Sequence, residues 1–412
     1  MKTYTYYQPE YVSKFQCDGQ KCNAYCCKHW NITIDKKTYK AYSHLKPKSA
    51  AKEIMINLKK RENADDYLVR LNEKGNCPFL TEDNWCSIQK KYGEEFLSVT
   101  CTTYPRQTWD MGEFYERSLT LTCPVVAEMV LLATEPLKFE TLEVSEKVHS
   151  NLGKIMILTN PLPPNQHEGF IMLQETMIGI LQERTLTIDQ RLLMLGLFCD
   201  KLDESLSSSL ELTFTKYIPF YKDTAFLQEQ SSKIAPLVKF EPQNHIKIMM
   251  GILEKLYGEE NKKSSPHDRR LLAAVVNTLK IETDENYFVN VSKLSDKYIS
   301  LNEERQKFVQ RFSTIFENYL VNELFFNLYP FRFSGTTIFN YGVFVTIYKM
   351  LELLTFSSSI EKSEPYDEKD LISEIRFYIN RVDHGIGYVG KIAEYLEGKE
   401  DIVEIMSSML QV

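Results

Sequence analysis

Residues 17–30, CDGQKCNAYCCKHW, place four cysteines and a histidine in fourteen positions. Thiolates are soft donors suited to zinc or to iron–sulfur clusters, and four ligands complete either kind of site. Cys17-x4-Cys22-x3-Cys26-Cys27 offers several donors from one loop, and Cys77, Cys86, Cys101 and Cys123 can close a site from farther along the chain. Adjacent Cys26 and Cys27 cannot readily point at the same atom, so one is expected to serve a metal centre while the other packs or serves a second site. Paired C-x2-C zinc knuckles are missing from the sequence. Cys77 and Cys123 each precede a proline, as the last cysteine of ferredoxin-type runs does, which shifts weight towards iron–sulfur and leaves zinc as the alternative. Eight unliganded thiols in so short a stretch would be an oxidation hazard.

The spacing also excludes something. Radical enzymes that cleave S-adenosylmethionine use C-x3-C-x2-C, and here Cys22-x3-Cys26 is followed by His29 where the third cysteine would stand. His29 could itself serve as a ligand, although a loop histidine beside Trp30 is more often structural.

The elements that must hold these residues are of two kinds. Eight of the nine cysteines fall within the first 123 residues of a 412-residue chain, and only Cys199 lies beyond. This asymmetry predicts a boundary near residue 136: a cysteine-rich metal-binding domain over 1–135 and a helical domain over 136–412. In the first, WNITID suits a short strand, and Gly75 to Cys86 carries turn residues. In the second, Thr187 and Gln190 form a capping-box pattern ahead of a helix with Leu192, Leu195, Cys199 and Leu202 on one face. Phe308 to Leu328 and Leu371 to Val382 repeat the helical spacing and read as core. Polar loops are expected at 160–169, 258–268 and 357–370. The fold class is therefore mainly α, with a small irregular α+β N-terminal domain.

Composition narrows the function classes. Hydrophobic residues at 43% and charged residues at 25% are ordinary for a globular protein, and the formal charge of −7 comes with no basic stripe for nucleic acid. No signal peptide and no run of about 18 apolar residues is visible, so no membrane partner and a cytoplasmic location are expected. In that compartment clustered cysteines are metal ligands or redox groups rather than a disulfide framework.

Four strings, CDGQKCNAYCC, CPFL…WCSIQKKYG, SVTCTTYPR and ERSLTLTCP, resemble the cysteine-cluster proteins related to the YkgJ family, most closely the flagellin lysine-N-methylases. ENYLVNELFFNLYPF and NRVDHG resemble the helical part of the same methylases, so the likeness spans nearly the whole length. It implies an enzyme that transfers methyl groups from S-adenosylmethionine to lysine ε-amines of flagellin, with a cysteine-bound metal centre, a 4Fe-4S cluster being the form expected.

Such chemistry needs a bound sulfonium donor, a neutral amine approaching in line, and a route for the departing proton. Candidate helpers are Tyr104, Glu116, Asp383 and His384. Arg106 could hydrogen-bond cluster sulfur or the donor's carboxylate. No Gly-rich loop follows a strand, so a Rossmann-type donor site is not expected, and GIGYVG (385–390) reads as a helix stop and loop. The alternative is a non-catalytic, metal-stabilised module that binds or chaperones flagellin. A redox or metal-storage role is the weaker third reading.

Overall fold

Alternating threonines and tyrosines make the start of the chain a strand, the conformation in which their bulk packs best. The computed structural model describes residues 3–412 except 18, 20, 21, 23, 24, 29, 63, 146–154, 158–166, 209–212, 258–265, 282–290, 333, 334, 385, 386 and 398–400. The strands are β1 (Thr3–Pro9), β2 (Thr33–Ile34), β3 (Leu58–Lys60), β4 (Tyr67–Val69), β5 (Arg106–Asp110), β6 (Tyr115–Leu119), β7 (Phe139–Ser145) and β8 (Ile155–Ile157). The chain divides into two compact units, residues 1–130 with 137–167, and residues 131–136 with 168–412.

The first unit is α+β, as its sequence suggests, but less irregular. Five strands form one mixed sheet in the order β7-β1-β6-β5-β8. β1 runs parallel to β6, and β7 returns antiparallel to β1 along its whole length, from Thr3 opposite Ser145 to Pro9 opposite Phe139. That pairing brings the chain back into the first unit after residue 136. The tight β5–β6 connection is made by Gly112, whose φ of +97° suits glycine and whose amide donates to Asp110 Oδ1 at 2.9 Å. A second sheet, ordered β2-β4-β3, covers a small core of Ile32, Ile34, Ile54, Val69 and Phe79, and WNITID supplies β2. Short helices α1 (Ser87–Tyr92) and α3 (Pro124–Leu131) begin directly after Cys86 and Cys123, and α2 (Val99–Thr103) contains Cys101.

The second unit is helical in its described residues. Its elements include α4 (Ile188–Ser208), α5 (Asn302–Arg311), α6 (Ser313–Phe326), α7 (Thr337–Glu361), α8 (Glu368–His384) and α9 (Tyr388–Leu396). The capping box at α4 is present in both directions: Thr187 N donates to Gln190 Oε1 at 2.9 Å, and Gln190 N to Thr187 Oγ1 at 3.2 Å. Leu192, Leu195, Cys199 and Leu202 are buried along its face.

Two expectations change. Phe308 to Leu328 is not one helix: Phe312 leaves the helical conformation (φ −106°, ψ 19°) and separates α5 from α6, its ring seated against Phe308 and Tyr366. The loop expected at 357–370 shrinks to 362–367, because α7 runs on through Glu361. Ser357 and Ser358 are buried, and Ser358 Oγ donates to Glu374 at 2.5 Å. The expected loops at 160–169 and 258–268 lie largely outside the described residues. In GIGYVG, Gly387 takes φ +74° immediately before α9, a left-handed cap that glycine adopts without strain.

α7 is long and apolar enough to cross a membrane, yet nearly all of it is buried within its own unit. It also carries charge. Lys349 Nζ meets Asp189 and, at 2.9 Å, Glu352, which is also paired with Arg305. Burial alone would raise the Glu352 carboxyl, but Lys349 and Arg305 together hold it down to about 2.

Candidate functional site

Two groups of residues in the structure can do chemistry, one in each unit. In the first unit the dispersed cysteines converge. Cys26 and Cys27 lie in a single 3-10 turn, Cys77 N donates to Cys27 O at 2.8 Å, Cys86 caps the start of α1, and Cys101 sits inside α2. Cys26, Cys77, Cys86 and Cys101 form a four-thiol neighbourhood in which every pair interacts electrostatically. Cys26 also acts on Cys123, which in turn feels Cys22, and Arg106 feels both Cys17 and Cys123. Cys26 and Cys27, adjacent in that turn, act on one another: the Cys27 thiol, together with burial, raises Cys26.

Burial raises these thiols, Cys77 to about 12 and Cys101 and Cys123 to about 11. Acting against burial are backbone amides aimed at sulfur: Phe79 at Cys77, Ile88 and Gln89 at Cys86, Val125 and Val126 at Cys123. Amides that donate to sulfur favour the thiolate, the form that binds metal. The donor set, four soft sulfurs with amide support at Cys77 and Cys86 and the Ser98 side chain at Cys101, suits a thiophilic metal in type and number. Among the described residues no three His, Cys, Asp or Glu side chains come close enough together to hold a metal ion. All nine cysteines are free of disulfides. His29 lies outside the described residues.

The helper candidates of the first unit take separate places. Arg106 opens β5, stacks over the Phe15 ring at 5.2 Å, and is lowered by burial against the pull of Glu94, Cys17 and Cys123. Tyr104 Oη lies 3.2 Å from Thr122 Oγ1. Glu116 is buried in β6 opposite Trp109.

The second group lies where ENYLVNELFFNLYPF and NRVDHG meet. α6 is buried over Ile315–Phe326, so its polar residues Glu317, Asn318, Asn322 and Glu323 are inside the unit as well. Glu323 is the member that spacing did not single out. Its Oε1 accepts from Asn327 Nδ2, whose Oδ1 accepts from Arg332, while Asp383, at the end of α8, acts on it from the facing element. Burial, reinforced by Asp383 and opposed by Arg332 and the Asn327 bond, pushes Glu323 up to about 8. Tyr319, Tyr329 and Tyr388 complete the neighbourhood, each of the first two feeling both Glu323 and Asp383. Among the described residues the buried Tyr319 hydroxyl makes no hydrogen bond. Of the sequence candidates in this unit, Asp383 is thus beside the site, and the His384 side chain lies outside the described residues. The signal that could have found Glu323 is four polar residues in an otherwise apolar, aromatic helix.

An aromatic-lined pair of carboxyl groups, one of them titrating near neutrality, is suited to take a proton from a cationic side chain. Residues 174–412, which include the whole second group, match the model of the FliB lysine N-methylase C-terminal domain. Relatives include lysine-N-methylases of Salmonella typhimurium (strain LT2) and Salmonella choleraesuis (strain SC-B67), each 26% identical over 371 residues and 88% of both chains. The flagellar biosynthetic protein FliU of Salmonella muenchen is 37% identical over 134 residues, 32% of this chain and 79% of that one. No solved structure matches. The chain belongs to the FliB lysine N-methylase family.

Proposed function

We propose that the chain is an S-adenosylmethionine-dependent methyltransferase acting on lysine side chains of flagellin, and that Glu323 and Asp383 receive the lysine's proton. The observation that carries this reading is the buried acid pair inside the domain that matches the methylase family. A lysine ammonium must give up its proton before its nitrogen can attack, and a carboxylate whose pKa lies near the working pH is a matched acceptor. Asp383, partly exposed, would meet the ammonium first; Glu323 behind it shares the proton; Asn327 and Arg332 hold Glu323 in place. Tyr319, Tyr329 and Tyr388 offer ring faces and hydroxyls to a cationic side chain. When bound, the donor supplies the methyl group: the neutral amine forms the new C–N bond, the S–CH3 bond breaks, and its electron pair stays on sulfur. Flagellin as the substrate is supported by the flagellar names of the relatives.

The cysteine neighbourhood would hold an iron–sulfur cluster, or zinc, through Cys26, Cys77, Cys86 and Cys101, with Cys17, Cys22, Cys27 and Cys123 around it. When bound, such a centre supplies fixed positive charge that keeps these thiols deprotonated.

The test is mass spectrometry of flagellin after incubation with full-length protein, purified without air, and S-adenosylmethionine. Increments of one methyl group on lysine are expected, with Glu323→Gln slower by about 10^2-fold, the low end for loss of a general base. Unmodified flagellin, from a strain known to carry methyl-lysine, would overturn the reading.

A further inference from the structure

Within the helical unit, a cavity of about 530 Å3 opens where α4 begins and α5 gives way to α6. Three arginines line it, Arg184 at the rim and Arg191 and Arg305 almost wholly buried, with Asp189 the one acidic side chain of the lining; behind the wall Glu317 pairs with Arg184 and Arg191, and Glu352 with Arg305. Asp189 is already engaged, one oxygen with Lys349 and the other with the Gln411 amide. Arg191 gives Nε to Leu186 O and Nη1 to Leu181 O and Glu317, while among the described residues its Nη2 makes no hydrogen bond. Arg305 Nε is likewise buried with no partner. Glu135 and Glu183 act on Arg184 and Arg191 but do not line the cavity. The amino end of the 21-residue α4 adds its own positive pole to the same wall. Around these charges the lining is amide and aliphatic: Gln190, Gln306 and Gln310 beside Ile188 and Val309.

We propose that this cavity binds a small organic carboxylate, with Arg191 Nη2 and the first turn of α4 receiving the carboxylate, and the glutamines and aliphatic side chains taking its uncharged body. Guanidinium and carboxylate match in planar geometry and pair strongly when withdrawn from water. The volume is that of small-molecule sites and far larger than a bare anion needs.

Calorimetry on the full chain, with N-acetylglutamine as the carboxylate probe and N-acetylglutaminamide and inorganic phosphate as controls, tests this. The carboxylate should bind at least tenfold more tightly than either control. Arg191 also holds two backbone carbonyls, so its replacement could unfold the unit. Gln310→Trp, an exposed change on α5 that fills the cavity, is therefore the variant used, checked for unchanged circular dichroism. It should weaken carboxylate binding at least tenfold. No binding to the parent protein, equal binding of the uncharged amide or of phosphate, or unchanged binding in Gln310→Trp would each overturn the proposal.

Discussion

The buried acid Glu323 makes a quantitative prediction about stability. Its carboxyl titrates at about 8 in the folded chain against 4.5 for the free group. A folded value above the unfolded one means that the folded state keeps a proton the unfolded state has released. The stability this group contributes is therefore complete below about pH 4.5 and declines as pH rises, levelling off above about pH 8. At pH 7 the unfolded carboxyl is roughly 2.5 pH units above its pKa, and each unit corresponds to about 1.4 kcal/mol, so the loss by pH 7 is about 3 kcal/mol. Glu323→Gln keeps an oxygen to accept from Asn327 Nδ2 but cannot ionise. Urea unfolding of parent and variant should be followed by far-UV circular dichroism, since Trp30, Trp85 and Trp109 all lie in the first unit and their fluorescence reports on that unit. Between pH 4.5 and 7 the parent should lose about 3 kcal/mol more than the variant. Parallel curves for the two proteins would refute both the assigned titration and the proton-accepting role built on it.

Three further outcomes are expected. Glu352→Gln removes the partner of buried Lys349 and Arg305 and should destabilise by about 3 to 5 kcal/mol in the same assay. In the parent, the stability Glu352 contributes is full above about pH 4.5 and is lost as pH falls towards 2. Gly196→Ala would bring a Cβ to 2.4 Å from Met406 Cε and 2.6 Å from the Tyr341 ring, an overpacking that should cost about 1 to 3 kcal/mol by urea midpoint. Alanine at Cys26, Cys77, Cys86 or Cys101 should strip iron or zinc from anaerobically purified protein as read by metal analysis, whereas Cys199→Ala should leave the content unchanged.

The cysteines were legible because their signal is density along the chain, and the fold had only to gather them. The helical unit was legible for a related reason: α4 carries its own cap and stripe, and Thr187, Gln190 and Cys199 stand where local spacing puts them. The main sheet was not legible, because β1 pairs with strands more than a hundred residues away and nothing in TYTYYQP names its partners. α6 defeated periodicity differently. With every residue from Ile315 to Phe326 buried it has no polar face, so the spacing that marks a stripe could not separate core from site.

What separates them is the company each buried acid keeps. Glu317 is met by Arg184 and Arg191, and Glu352 by Lys349 and Arg305, so their charges are paired and serve the packing of the helices that carry them. Glu323, on the same helix as Glu317 and six residues on, is set against a second acid, and burial with that neighbour raises it, where cations overcome burial to lower Glu352. An arrangement kept only for stability would pair Glu323 as its two counterparts are paired. A buried carboxyl raised towards neutrality beside a second acid weakens the fold at pH 7, and proton transfer is the use that such a cost can serve.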